Sequence, residues 1–354
     1  MINRSKSIDV CRGLLFLLMI NTHALTMASV PRNYWLFSDF WLPNGWATVA
    51  FVVLSGFGIG YIYSIREQAD RYVALIRRSR NIIAVMFISN FVFCAVRQGL
   101  IDKQASILLD PGWWFGFFTL TTDWSISGVL LPTGLVLLCG SFMIRFCQRA
   151  PWITLAALIV ARIAVSLLTS SLTAIGCADL WIFKLLFLKG FGGFPVLPFV
   201  INGCLGIWLG IFKRRNEGVA WTVSLAVLML MQVIIYLYTF NPTPSLWISV
   251  ISSFSAITRF AWVFAFALLL SRFRYFPPTR MIGLVGKFSL GSFIMHRVFL
   301  HAIYLPWNHF YGNGLSPGYY YCLLIIGGFA LTWFLCYLRE RFPVLNRCFT
   351  RLAL

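Results

Sequence analysis

Acidic residues are scarce in this sequence: Asp and Glu number 10 in 354 residues, against 29 Lys and Arg, for a formal net charge of +19. Charged residues of both signs make up only 11%, where a soluble domain carries about a quarter. A chain this poor in charge cannot cover a water-facing surface of its own size. Histidine is rarer still, with 4 residues, so each one bears on any proton chemistry. The 9 cysteines include no Cys-x-x-Cys pair, which leaves neither a metal site nor a disulfide framework to infer. Small apolar packing accounts for them. There is no Walker-type phosphate loop and no Gly-x-Ser-x-Gly elbow, so nucleotide-driven transport and α/β-hydrolase chemistry have no support. No fixed repeat recurs, and no hydrophilic stretch is long enough for a separate soluble domain.

What the chain has is apolar mass. Hydrophobic residues make up 60% and aromatics 17%, with a mean hydropathy of +0.82, which excludes disorder. Runs close to the roughly 20 residues that cross a bilayer as a helix predict spans at 10–29, 44–64, 81–98, 124–144, 151–172, 194–212, 219–239, 254–271, 281–303 and 318–338. The expected fold is all-α: a polytopic membrane helix bundle of about ten transmembrane helices. It forms a single membrane-embedded domain over 1–354, with both termini cytoplasmic. The first run is interrupted by Asn21, Thr22 and His23 and is followed by further spans, which suits an uncleaved helix better than a signal peptide.

The basic excess then has an explanation. With the N-terminus inside, 19 Lys and Arg fall on cytoplasmic segments, among them Arg66, Arg71, Arg145, Arg149, Lys213 and Arg341. Only Arg32, Arg97, Lys103, Lys184 and Lys189 fall outside. This is the positive-inside bias of an integral membrane protein. Nucleic-acid binding would want one basic face with interleaved aromatics, and here the charge is spread over short segments.

Ionisable groups within spans call for a role. Arg12 and His23 lie eleven residues apart, a turn of about 1100° and a rise of about 16 Å, so they share one helix face. Asp9 stands three residues before Arg12 and can pair with it. Arg12 fits either a snorkelling anchor or an anion contact, and His23 either a helix-bridging residue or a proton carrier. His296 is mid-span, followed by Arg297, and histidine titrates near neutrality. His301 and His309 fall near the outer interface. Ser55, Gly56 and Gly60 stand among bulky residues, a spacing that lets helices approach closely. Arg77-Arg78-Ser79-Arg80 marks the membrane boundary. It fits phosphate binding or simple orientation.

In this order the pieces resemble the acyltransferase-3 superfamily of integral membrane acyltransferases. Asp9-x-x-Arg12-Gly13 followed by His23 is similar to its first helix. Phe51-Val52-x-Leu54-Ser55-Gly56-Phe57 resembles its Phe-Phe-x-x-Ser-Gly motif, with Val52 in place of the second phenylalanine. Arg77 and Arg80 fit its Arg-x-x-Arg motif in the following cytoplasmic loop. Gly286-Lys287-Phe288-Ser289-Leu290 leading to His296 is similar to its late Gly-x-x-Ser…His segment. Where many members carry a glutamate after Trp-Ser-Leu, this chain reads Trp124-Ser125-Ile126-Ser127-Gly128. The first two motifs look most like the OpgC branch, associated with succinylation of periplasmic glucans.

The resemblance implies transfer of an acyl group, acetyl or succinyl, from cytoplasmic acyl-CoA to a hydroxyl of an envelope or exported glycan. His23 would be the base or an acyl carrier, with His296 the second catalytic histidine. Arg12, Arg77 and Arg80 would bind the polyanionic donor, supported by Asp9, Ser55, Gly56 and Ser289. Acetyl-CoA or succinyl-CoA enters as donor substrate, with no bound cofactor and no metal. Expected partners are membrane lipid, the glycan acceptor and acyl-CoA, not nucleic acid. The expected location is a bacterial cytoplasmic (inner) membrane. Trp35, Trp41, Trp46, Trp113 and Trp114 fit an interfacial aromatic belt or sugar stacking. Asp39, Asp110 and Asp123 fit surface solvation or sugar hydroxyls. The residues themselves also allow a carrier or flippase for a glycan or lipid-linked sugar, or a non-catalytic partner of envelope assembly.

Overall fold

A computed structural model describes residues 5–30, 45–96, 105–120, 129–176, 180–188, 195–216, 218–240, 250–273, 275–310 and 317–351. These are helical throughout, with no strand among the described residues. In chain order the helices are α1 (Lys6–Met27), α2 (Trp46–Tyr63), α3 (Gln68–Val96), α4 (Pro111–Thr119), α5 (Leu130–Arg149), α6 (Pro151–Ala174) and α7 (Trp181–Phe187). There follow α8 (Val196–Arg215), α9 (Val219–Phe240), α10 (Ser255–Arg272), α11 (Pro277–Lys287), α12 (Ser289–Phe310), α13 (Pro317–Arg341) and α14 (Pro343–Arg351). A 3-10 turn (Ala105–Leu109) precedes α4. Among the described residues, 9 helices are long and apolar enough to cross a membrane, or 10 if the bent pair α11–α12 counts as one span.

Two expected spans differ in form. The third helix begins at Gln68, well before the predicted apolar start, so Arg71, Arg77, Arg78 and Arg80 ride on α3 and not in a loop. Ala, Leu and Arg are strong helix formers whatever their hydropathy, so a basic stretch continues the helix beyond the apolar run. The predicted span 281–303 breaks at Phe288, where α11 and α12 meet at 99°. The start of the fourth predicted span, Trp124–Gly128, lies outside the described residues, as do Arg4, Arg32, Trp35, Asp39, Trp41, Arg97, Lys103, Asp123, Cys177, Lys189 and Arg274.

The helices group into two compact units, Met1–Phe51 with Arg259–Leu354, and Val52–Thr258. In the first, α1 packs along α11 and also meets α12 and α13. Its core gathers Phe16, Ile20, Leu25, Val285, Leu300 and Leu324. In the second unit α5 packs between α3 and α8. Of the most apolar window of α8, 78% is buried, against 11% for α6 and 17% for α9. Helix α8 is therefore the centre of this unit, while α6 and α9 offer apolar side chains such as Ile153, Val160, Leu230 and Leu237 outward. In lipid that outward face costs nothing, and helix association rests on close packing instead.

The second unit's portion of α2 meets α8 backbone to backbone. A Cβ on Gly56 would run into the carbonyl of Gly203, one on Gly60 into Ile207, one on Gly206 into Val53, and one on Gly210 into Phe57. Two Gly-x-x-x-Gly rows thus face each other, the arrangement that gives membrane helices their shortest separation.

Candidate active site

The crossing of α1 and α11 brings the first and last sequence motifs together. A Cβ on Gly13 would strike the backbone carbonyl of Ile282, and one on Gly286 the carbonyl of Asp9. With both backbones in contact, the first turns of α1 are held against α11. There Arg12 Nη1 lies 3.5 Å from Asp9 Oδ1, as an i,i+3 ion pair. Asp9 is buried and Arg12 half-buried, so the carboxylate steadies a guanidinium that still reaches out of the helix packing.

Past Gly286 the chain turns sharply. Lys287 pairs with Glu340 at 2.5 Å, and Arg339 lies 4.3 Å from the centre of the Phe288 ring. These contacts hold the break at the foot of α13, and Ser289 opens α12 immediately after it. The redirected helix then carries His296 to α1.

His296 and His23 stack, with ring centroids 5.4 Å apart and planes at 26°. His296 is 1% exposed and enclosed by Phe16 at 5.4 Å and Phe293 at 5.9 Å. Arg297, next in sequence, reaches His23 instead: its Nη1 is 3.2 Å from His23 Nδ1. A guanidinium can only donate, so Nδ1 accepts and the ring hydrogen of neutral His23 sits on Nε2. The opposite holds for its neighbour. His296 Nδ1 is 3.3 Å from the Ser292 carbonyl, which can only accept, so Nδ1 carries the hydrogen and Nε2 the lone pair. That Nε2 is buried and makes no hydrogen bond to any described residue. One imidazole of the stack thus presents an N–H and the other a lone pair.

His301 donates from Nδ1 to the Arg297 carbonyl at 2.8 Å, tying it to the backbone of the same helix. The side chain of His309 lies outside what is described. Arg297 is the residue whose part the sequence did not disclose. Its position beside His296 suggested nothing about His23, which lies 274 residues away in the chain.

Most of the remaining candidates belong to the second unit. Ser55 is half-buried. Gly56 makes the helix crossing with Gly203, so packing explains it. Arg77 and Arg80 are exposed on one face of α3, while Arg71, about two turns earlier, is buried. Trp113 and Trp114 stack with Phe117 and Phe118, and Trp114 reaches Phe91 of α3 at 5.5 Å. Trp114 Nε1 also donates to the Leu108 carbonyl at 2.8 Å, a packing arrangement. Asp110 caps α4 by accepting from the Gly112 N–H at 2.8 Å. Trp46, in the first unit, lies under Arg259 at 5.6 Å. Among the described residues, no group of three His, Cys, Asp or Glu side chains is arranged to hold a metal ion.

Against known families, residues 5–337 match the acyltransferase domain of the acyltransferase-3 type. No curated protein and no solved structure matches the chain.

Proposed function

The chain belongs to the acyltransferase-3 family, and on that premise we propose that it is a membrane O-acyltransferase carrying an acetyl or succinyl group from acyl-CoA to a hydroxyl of an envelope or exported glycan. The observation that supports a catalytic reading most directly is the His23–His296 stack with its opposed hydrogen positions. The acceptor hydroxyl gives its proton to His296 Nε2 as its oxygen attacks the thioester carbonyl carbon. His23, held by Arg297, donates from Nε2–H to the carbonyl oxygen as negative charge gathers there. The carbon–sulfur bond then breaks, and the proton on His296 passes to the departing thiolate. The products are the glycan ester and free coenzyme A. Proton transfer of this kind is worth about 10²–10⁴-fold.

The first motif assigns Arg12 to the anionic donor, oriented by Asp9. Arg77 and Arg80 are assigned to it by the Arg-x-x-Arg motif alone, and Ser55 and Ser289 are supporting residues by theirs. The wording of the first two motifs favours the OpgC-like branch and hence succinyl as the group moved. A bacterial cytoplasmic membrane suits a donor made in the cytoplasm.

Mass spectrometry of envelope glycans tests the reading, comparing cells with the gene, without it, and with His23→Ala or Arg12→Ala. Loss of one acyl ester in the last three supports acyl transfer. Intact esters in all three overturn it, and a normal glycan that fails to reach the surface points to a carrier.

A further inference from the structure

Arg71 is buried, 3% exposed, and makes no ion pair with any described residue. Its Nε reaches Ser141 Oγ at 3.4 Å, a weak contact for a guanidinium. Removing a cation from water costs several kcal/mol unless an anion or full hydrogen bonding compensates. The helix gives no relief. Arg71 lies in the first turn of α3, where the macrodipole is positive and disfavours a cation.

Its surroundings add charge of the same sign. Arg71 lines a pocket of about 260 Å³ together with Arg66, Arg145, Arg149, Gln68 and Gln148. The pocket lies between the α2–α3 turn, the start of α3 and the end of α5. Gln148 Nε2 donates to the Ser64 carbonyl at 2.7 Å, which fixes the α2–α3 turn to α5. Arg145 and Arg149 by themselves suit the negative end of α5, but that dipole does not account for the buried Arg71. Glu67 and Asp70 are exposed neighbours on the same segment, and neither pairs with a pocket arginine among the described residues. Four guanidiniums therefore border one cavity with no carboxylate among its lining residues. Arg forks match the tetrahedral oxygens of phosphate, and the N-terminal N–H groups of a long helix favour the same ligand.

We propose that this pocket is a phosphate-binding site, distinct from Arg12, Arg77 and Arg80 and independent of the acyl-transfer reading. Its occupant is a phosphate group, borne either by a soluble molecule or by an anionic lipid headgroup. In both cases the bound dianion or diester supplies the charge that Arg71 lacks.

The full chain in phosphatidylcholine nanodiscs is titrated with inorganic pyrophosphate by calorimetry. In parallel, native mass spectrometry scores phosphatidylglycerol retained from mixed vesicles. Arg71→Gln is the direct variant. Arg145→Gln with Arg149→Gln, both exposed, tests the same site without disturbing the interior. Arg272→Gln with Arg341→Gln is the charge-matched control. Pyrophosphate binding that weakens about tenfold or more in the α5 pair but not in the control supports the site with a soluble ligand. Retained phosphatidylglycerol lost in the same pair supports the headgroup. Absence of both ligands from the wild type, or binding that the α5 pair leaves unchanged, overturns the proposal.

Discussion

Arg297 and His23, 274 residues apart, meet at 3.2 Å between Nη1 and Nδ1. The contact decides which nitrogen of His23 carries hydrogen, and with it which histidine of the stacked pair can accept a proton. Solid-state NMR on protein with ¹⁵N-labelled histidine should therefore show His23 as the Nε2–H tautomer and His296 as the Nδ1–H tautomer. Arg297→Met should change the His23 signals and leave those of His296 in place.

Substitution separates the two rings by role. His296→Ala should lower acyl transfer by about 10²–10⁴-fold, the range for a lost general base. Arg297→Lys keeps a cation but not the fixed guanidinium geometry, and should retain more activity than Arg297→Met. In-cell glycan acylation read by mass spectrometry orders the variants. Equal activity of all three with wild type would remove the pair from the chemistry.

The α2–α8 crossing carries stability rather than chemistry. Gly60→Leu or Gly206→Leu forces a side chain into backbone of the facing helix and should cost about 1–3 kcal/mol or more. Thermal unfolding in detergent, followed by size-exclusion fluorescence, should place both well below wild type. Gly283→Ala, away from this crossing, should fall nearer wild type, since a Cβ there meets only the Val10 side chain, at an ordinary 3.6 Å.

At the break between α11 and α12 two neighbouring cations should differ. Lys287 and Glu340 are 37% and 47% exposed, so Lys287→Met should cost about 1 kcal/mol or less. Arg339 is 4% exposed and lies between the rings of Phe288 and Phe349, at 4.3 Å and 4.5 Å. Arg339→Ala removes both stacking contacts and should lower the unfolding temperature more than Lys287→Met.

Hydropathy made the spans legible because each buries or offers to lipid about twenty apolar residues; α2, α6, α8, α9, α10 and α13 lie close to where it puts them. It failed at the start of α3, where Arg71 to Arg80 lower the hydropathy without interrupting the helix. It also failed at Phe288, where no proline announces the turn and the break depends on α1 and α13 packing beside it. His23, His296 and the Asp9–Arg12 pair stood out because a polar group in a span is conspicuous. Arg297 did not, since its partner is chosen by the way two distant helices meet. Arg71 stands in the sequence only as one more orientation signal, and its burial comes from packing on α5.

The discontinuity of the first unit has a consequence for how the protein is made. Helix α1 leaves the ribosome well before α11, α12 and α13, which cover its Asp9, Asn21 and His23 faces and are encoded after residue 259. At about 5–20 residues per second the ribosome needs on the order of ten seconds or more to supply them. Throughout that interval α1 must hold polar side chains in or beside the bilayer without its native partners. Helix α11, with 11 residues, is too short to span alone, so its place rests on packing against α1. Helix α1 is thus completed by helices made long after it, and termination anywhere before α13 leaves an exposed, polar-bearing helix for membrane quality control to find.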